Sequence, residues 1–315
     1  MDKDTKLVIS LTLTVVTVTA ILVLFFMYRD KIILRQSTNV VPTNGSQDNE
    51  SGTDNVVNDI HEDYKIYSVN VEKDVKYNDS KYLDIYSPND NSKIFPLVMW
   101  FAGGAGESKS TAKDEATAIA KYGYVVAVAN YGTTDFTNAG SERIQNGIEA
   151  MEYMYQRANT YKVDINKKIF VGGTSFGGIM ASLLGTATNT EEFASVLHAN
   201  IGGVLDFFGS VELPTDDEKS QLAFSTVFGC EDPLMCPEAD IMRVAKYIDK
   251  DDPAFYIVHG QNDGTSRVEQ SINLASSLSN VGVENKLTID QELGHDSALV
   301  TKYIDSLIDF LRNHE

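Results

Sequence analysis

Apolar and polar positions follow three regimes along the chain. Residues 7–28, LVISLTLTVVTVTAILVLFFMY, carry no charged side chain. At about 1.5 Å per residue a helix over this run reaches roughly 33 Å, matching a hydrocarbon core of about 30 Å. The run is longer than that of a signal peptide and no A-x-A site follows it, so it reads as an uncleaved single-pass transmembrane anchor within residues 1–36. Residues 37–63 are polar, acidic and aperiodic, which predicts a disordered linker. From residue 64 to 315, short β-rich apolar runs alternate with longer helical patterns.

The predicted strands are 81–87, 95–102, 124–131, 168–173, 201–208, 254–260 and 286–290. Helical spacing is strongest at 142–159, with Ile144, Ile148, Met151 and Tyr155 on one face, and also marks 111–122, 266–280 and 298–312. Several strands are nearly continuous apolar runs, as expected where helices cover both faces of a sheet. The alternation predicts one α/β domain with a mostly parallel central sheet. Residues 64–77 and 81–87 follow one another with no helix between them, which predicts an antiparallel hairpin at the sheet edge. Segment 209–253 breaks the alternation and reads as an insertion or partial lid over the strand ends.

Charge narrows the partners. The chain has 45 acidic and 26 basic side chains, a net charge of −19. Without residues 1–36 the remainder carries −21. Such a surface repels phosphate, which argues against nucleic acid and against adhesion to an anionic bilayer, and favours a neutral or cationic small-molecule substrate. Membrane attachment is therefore expected through the N-terminal helix alone. Lys3 and Lys6 before the apolar run, against Arg29, Lys31 and Arg35 after it, give a positive-inside count that opposes export. The linker suits a domain that stands off a membrane, and the reading places that domain outside the cell. Two cysteines exclude a disulfide scaffold. Cys230 and Cys236 are either a local disulfide or two thiols, and no nearby histidine completes a zinc site.

The strongest chemical signal is Gly173-Thr174-Ser175-Phe176-Gly177, between the strand KIFVGG and the helix-forming IMASLLG. G-x-S-x-G in a strand–turn–helix context presents a serine nucleophile, and the helix N-terminus favours developing negative charge. Of five histidines, His61 lies in the linker, His314 at the C-terminus, and His198 before a strand. His259 ends a strand and is the rival base, while His295 follows the last strand, where sites form in such sheets. The base is assigned to His295. Asp263 is the orienting acid, in the order Ser–Asp–His, with Asp206 and Asp296 as rivals. Gly103 and Gly104 follow a strand and, with the Phe176 N–H, are the candidate oxyanion hole.

With these residues the chain resembles an α/β-hydrolase of the carboxylesterase/lipase type, over roughly residues 64–313. The similar stretches are FPLVMWFAGGAG, KKIFVGGTSFGGIMAS, GGVLDFFGS, DDPAFYIVHGQNDGTSRVEQS and ELGHDS. The resemblance implies the α/β-hydrolase fold and hydrolysis of carboxylic esters through an acyl-enzyme, with no metal or organic cofactor. It implies nucleophile Ser175, acid Asp263, base His295 and oxyanion donors near Gly103, Gly104 and Phe176. DDPAFYIVHG is similar to members acting on esterified sugars or small acyl esters. The chain departs from the family's His-Gly-Gly-Gly loop at Ala102 and Ala105. A serine peptidase or other acyl-transfer enzyme, and a non-catalytic binding domain, are the competing expectations for this fold.

Overall fold

Apolar runs five to seven residues long dictate the centre of the molecule. In the computed structural model, which describes residues 64–104, 108–133, 138–213 and 218–315, they form an eight-stranded sheet. The strands are β1 Val69–Lys76, β2 Tyr82–Pro88, β3 Leu97–Phe101, β4 Val125–Ala129, β5 Ile169–Thr174, β6 Ile201–Phe207, β7 Ala254–Gly260 and β8 Asn285–Asp290. Their spatial order is β1-β2-β4-β3-β5-β6-β7-β8. β1 pairs with β2, and β2 with β4, antiparallel; the remaining pairs are parallel. The edge hairpin and the parallel centre match the sequence pattern. The anchor and linker expected at 1–63 lie outside the described residues. Among the described residues no helix is long and apolar enough to cross a membrane.

The longer helices are α1 Lys113–Ala120, α2 Ala139–Gln156, α3 Phe176–Thr186, α4 Glu218–Phe228, α5 Pro237–Ile241, α6 Glu269–Val281, α7 Ala298–Lys302 and α8 Ile304–Asn313. Every residue of β3 and β4 is buried, because apolar layers cover both faces. One layer sets Met99, Phe101 and Val171 against Ile144, Ile148 and Met180 of α2 and α3. The other sets Trp100, Phe170 and Tyr256 against Ile119, Leu307 and Phe310. Each fully buried aliphatic side chain contributes about 1.5–3 kcal/mol, so these layers hold the strand ends rigidly.

Two helices depart from the spacing. α2 begins at Ala139, three residues before the periodic pattern. Its exposed N–H groups are satisfied by Glu238, whose carboxylate accepts from Gly140 N at 2.8 Å and Ser141 N at 3.1 Å. The helix predicted at 298–312 is broken at Tyr303, which has φ −106° and ψ 22°. The Tyr303 hydroxyl donates to Asp290 at the end of β8, a partner outside the helical period.

Segment 209–253 holds α4 and α5, and Cys230 is paired with Cys236 as a disulfide. Cys236 is buried and precedes α5, which carries Glu238 to the start of α2. Closing so short a loop contributes roughly 2 kcal/mol. The Cys230→Ser/Cys236→Ser double variant is therefore expected to melt several degrees lower. Thermal scans with and without reductant check this: reductant should lower the wild type to the variant's midpoint and leave the variant unchanged.

Candidate active site

The sharp turn after β5 follows from glycines on both sides of Ser175. A Cβ on Gly173 would strike the backbone of Gly177 and Phe101, and one on Gly177 would strike the Phe101 carbonyl. With both positions bare, the chain reverses at Ser175, which adopts φ 55° and ψ −122°, a conformation non-glycine residues rarely hold. Its N–H donates to the Phe207 carbonyl at 2.8 Å, fixing the turn to β6. The strained serine thus stands at the carboxyl ends of β3, β5 and β6, with α3 starting directly after it.

His295 and Asp263 arrive from the loops after β8 and β7. His295 Nδ1 is 2.7 Å from Asp263 Oδ2, and its Nε2 is 2.9 Å from Ser175 Oγ. A carboxylate only accepts, so Nδ1 carries the hydrogen and Nε2 is left to accept from the serine hydroxyl. Asp263 Oδ1 accepts from Thr265 N at 2.7 Å and Ser266 N at 2.8 Å. Burial alone raises the Asp263 pKa, but donors from His259 and His295 outweigh it and hold the carboxyl well below the usual range. The group remains an anion that can orient an imidazole. Phe208, at φ 49°, sets its ring edge-on to His295 with centroids 4.7 Å apart.

The loop carrying His295 is tied down by Asp290. This buried carboxylate accepts from Glu292 N and Leu293 N, and pairs with Lys302 Nζ at 2.6 Å and the Tyr303 hydroxyl at 2.8 Å. The Lys302 ammonium, ahead of the backbone donors, holds Asp290 far below an ordinary carboxylate.

The candidate oxyanion donors sit on either side of the serine. As the first residue of α3, Phe176 has an N–H with no acceptor inside the helix. Gly103 leaves the end of β3 so close that a Cβ there would lie 3.3 Å from Ser175 Cβ and 3.1 Å from the Thr174 carbonyl. Gly104 has φ +69°, and a Cβ there would meet nothing within 4 Å. Ala105 lies outside the described residues. At Ala102, where the resemblance leads one to expect histidine, the buried Tyr131 hydroxyl donates to the Ala102 carbonyl at 2.7 Å. The Tyr131 ring also stacks on Phe176, with centroids 6.4 Å apart. Lys109 braces the chain beyond the loop, 3.0 Å from Asp74 and 3.5 Å from Asp84.

The rivals have other partners. Asp206 is buried, accepting from Ser182 Oγ at 2.6 Å and Gly209 N at 2.8 Å, so it joins α3 to the loop after β6. Burial raises its pKa, against those two donors and the field of His259. Asp296 accepts from Ala298 N at the start of α7. His198 meets Thr188 at 2.8 Å before β6, at the opposite end of the sheet. His259 is fully buried beside Asp263, 3.3 Å from its Oδ2. The sequence reading treated His259 only as a competing base. No sequence signal marks its contact with Asp263, since a four-residue spacing outside a helix does not fix proximity.

A BD-FAE family model matches residues 83–278. Comparison with curated proteins found no match. Among solved structures, a bifunctional GH43-CE protein of Bacteroides eggerthii is 22% identical with a TM-score of 0.65, covering 76% of this chain and 35% of its own. This chain thus spans about a third of that protein. A truncated carbohydrate esterase from gut microbiota is 22% identical with a TM-score of 0.63, covering 79% of this chain and 98% of its own. Esterase B of Lactobacillus Rhamnosis is 20% identical with a TM-score of 0.64, covering 81% and 88%. Another similar structure is described as an α/β-hydrolase from a deep-sea metagenome, at 15% identity and a TM-score of 0.58 over 78% of this chain and 98% of its own. The sheet order and these neighbours give the chain the α/β-hydrolase fold, and the extent of the family match shows that it belongs to the BD-FAE family.

Proposed function

We propose that this protein is a serine hydrolase that cleaves carboxylic esters through an acyl-enzyme. The observation that carries the reading is the continuous pair of contacts from Ser175 to His295 to Asp263, at 2.9 and 2.7 Å, built on a strained turn. Ser175 Oγ attacks the acyl carbon while His295 Nε2 takes its proton. Asp263 holds the Nδ1–H and stabilises the imidazolium that forms. The oxyanion receives N–H groups from Phe176 and from Gly103 or Gly104. As the tetrahedral adduct collapses, His295 returns the proton to the leaving alkoxide, and water enters by the same steps in reverse.

Esters of neutral alcohols, sugars among them, are the proposed substrates. The net charge of −21 beyond residue 36 disfavours anionic esters, and carbohydrate esterases and esterases stand among the structural neighbours. The further proposal is that residues 7–28 anchor the chain in a membrane with the hydrolase domain outside. A fluorophosphonate probe applied to the full-length chain is expected to add to Ser175, read by the mass of the tryptic peptide. No adduct would count against the hydrolase. A membrane-impermeant version on intact cells is expected to label equally; labelling only after lysis would overturn the placement and leave the chemistry standing.

A further inference from the structure

His259 closes β7, and its ring has no exposed surface. Its Nε2 meets the Ser266 carbonyl at 2.8 Å, so that nitrogen carries a hydrogen, and its Nδ1 meets Ser271 Oγ at 2.6 Å. Ser271 is equally buried, and α6 places it there. The same Nε2 stands 3.3 Å from Asp263 Oδ2, the oxygen that accepts from His295. Ser266 completes a closed ring of contacts, since its N–H donates to Asp263 Oδ1 while its carbonyl accepts from His259. Two imidazoles therefore converge on one carboxylate oxygen, one from β7 and one from the loop after β8.

A buried carboxylate left to itself is costly as an anion and loose as a rotor. Orienting an imidazole requires it to be neither. We propose that His259 is a positioning residue: its Nε2–H, shared between the Ser266 carbonyl at 2.8 Å and Asp263 Oδ2 at 3.3 Å, locks Asp263 in the rotamer that presents Oδ2 to His295 and favours the anion there. The inference rests on the hydrolase reading of Ser175, His295 and Asp263. Ionisable groups around the ring are Asp263, His295 beyond it, and Asp206 on β6. Phe208 lies edge-on to both imidazoles, with centroids 6.3 Å from His259 and 4.7 Å from His295, and its ring carries no ionisable group.

The test compares His259→Leu, His259→Gln and Ser271→Ala in the full-length protein. Leucine removes the donor, glutamine retains an N–H near the Nε2 position, and Ser271→Ala frees the ring while leaving it in place. His259→Leu is expected to lower kcat on the order of tenfold or more with KM unchanged, the scale of one hydrogen bond to a charged group. Removing a donor from the anion leaves more of its charge on Oδ2 to stabilise the imidazolium at His295, so the acid limb of kcat/KM should move to higher pH. His259→Gln should recover most of both effects, and Ser271→Ala should show a smaller change of the same sign. A purely structural ring would lower the melting temperature of all three without moving the acid limb. That result, or equal losses in Leu and Gln, overturns the proposal. Should His259→Leu fail to fold, an acid limb in Ser271→Ala that coincides with the wild type also overturns it. Fluorophosphonate labelling separates the two readings. An unlabelled wild type sinks the hydrolase assignment, whereas a labelled wild type with equal rates in every variant sinks the role of His259 alone.

Discussion

Ser175→Ala is expected to lower kcat for a short p-nitrophenyl ester by roughly 10⁶-fold, the loss found when a triad serine is removed elsewhere. The fold should persist. The positive φ at 175 is imposed by Gly173, Gly177 and the Ser175 N–H bond to Phe207, none of which needs the hydroxyl. Alanine keeps the Cβ that packs near Gly103 and gives up one hydrogen bond to His295, worth about 1 kcal/mol. Stability should therefore change little while chemistry is lost. The measurement is steady-state turnover beside a thermal scan and far-UV spectrum of the same preparation. Turnover within tenfold of the wild type would remove Ser175 from the mechanism and with it the hydrolase reading.

The second large effect separates two buried carboxylates. Asp263→Asn is expected to lower kcat by about 10³–10⁴, because the amide must turn its oxygen toward the Thr265 and Ser266 N–H groups. Its NH₂ then faces His295 Nδ1, which must become the acceptor and place its hydrogen on Nε2. In that tautomer the imidazole can no longer take the serine proton. Asp206→Asn has no such consequence. The amide oxygen can accept from Gly209 N, and its NH₂ can donate to the Ser182 hydroxyl, which accepts as readily as it donates. Because burial raises the Asp206 pKa, an ionisable carboxyl at this position costs stability, a cost that is full above the raised pKa and fades as pH falls below it. Asn removes the charge, so Asp206→Asn should be near wild type in turnover and no less stable at neutral pH. A larger loss of kcat in Asp206→Asn than in Asp263→Asn would reverse the assignment of the acid.

Much of the architecture was legible because it is set by neighbours in sequence. β3 and β4 read as unbroken apolar runs since both faces of the sheet are covered. The turn at Ser175 read as a nucleophile position since its steric demand falls on residues two positions away. The start of α2 did not read correctly, because its cap is Glu238, nearly a hundred residues distant. The break at Tyr303 was hidden for the same reason, its partner Asp290 lying outside any helical period. The fate of Cys230 and Cys236 was left open by composition, and only the path of segment 209–253 joins them.

The main strands, the parallel class of the sheet and the serine turn follow from local sterics and burial periodicity, which neighbouring residues carry. Which imidazole and which carboxylate meet that serine was decided by tertiary structure. His295 and Ser175 are 120 positions apart, and the parallel strands β5-β6-β7-β8 bring the loops that bear them to the carboxyl end of the sheet. Asp206 and Asp263 look alike as acids at or after strand ends. Only packing turns the first toward Ser182 and the second toward His295. The contact of His259 with Asp263 likewise needed the loop after β7 to fold back over its own strand, a geometry that residue spacing does not encode.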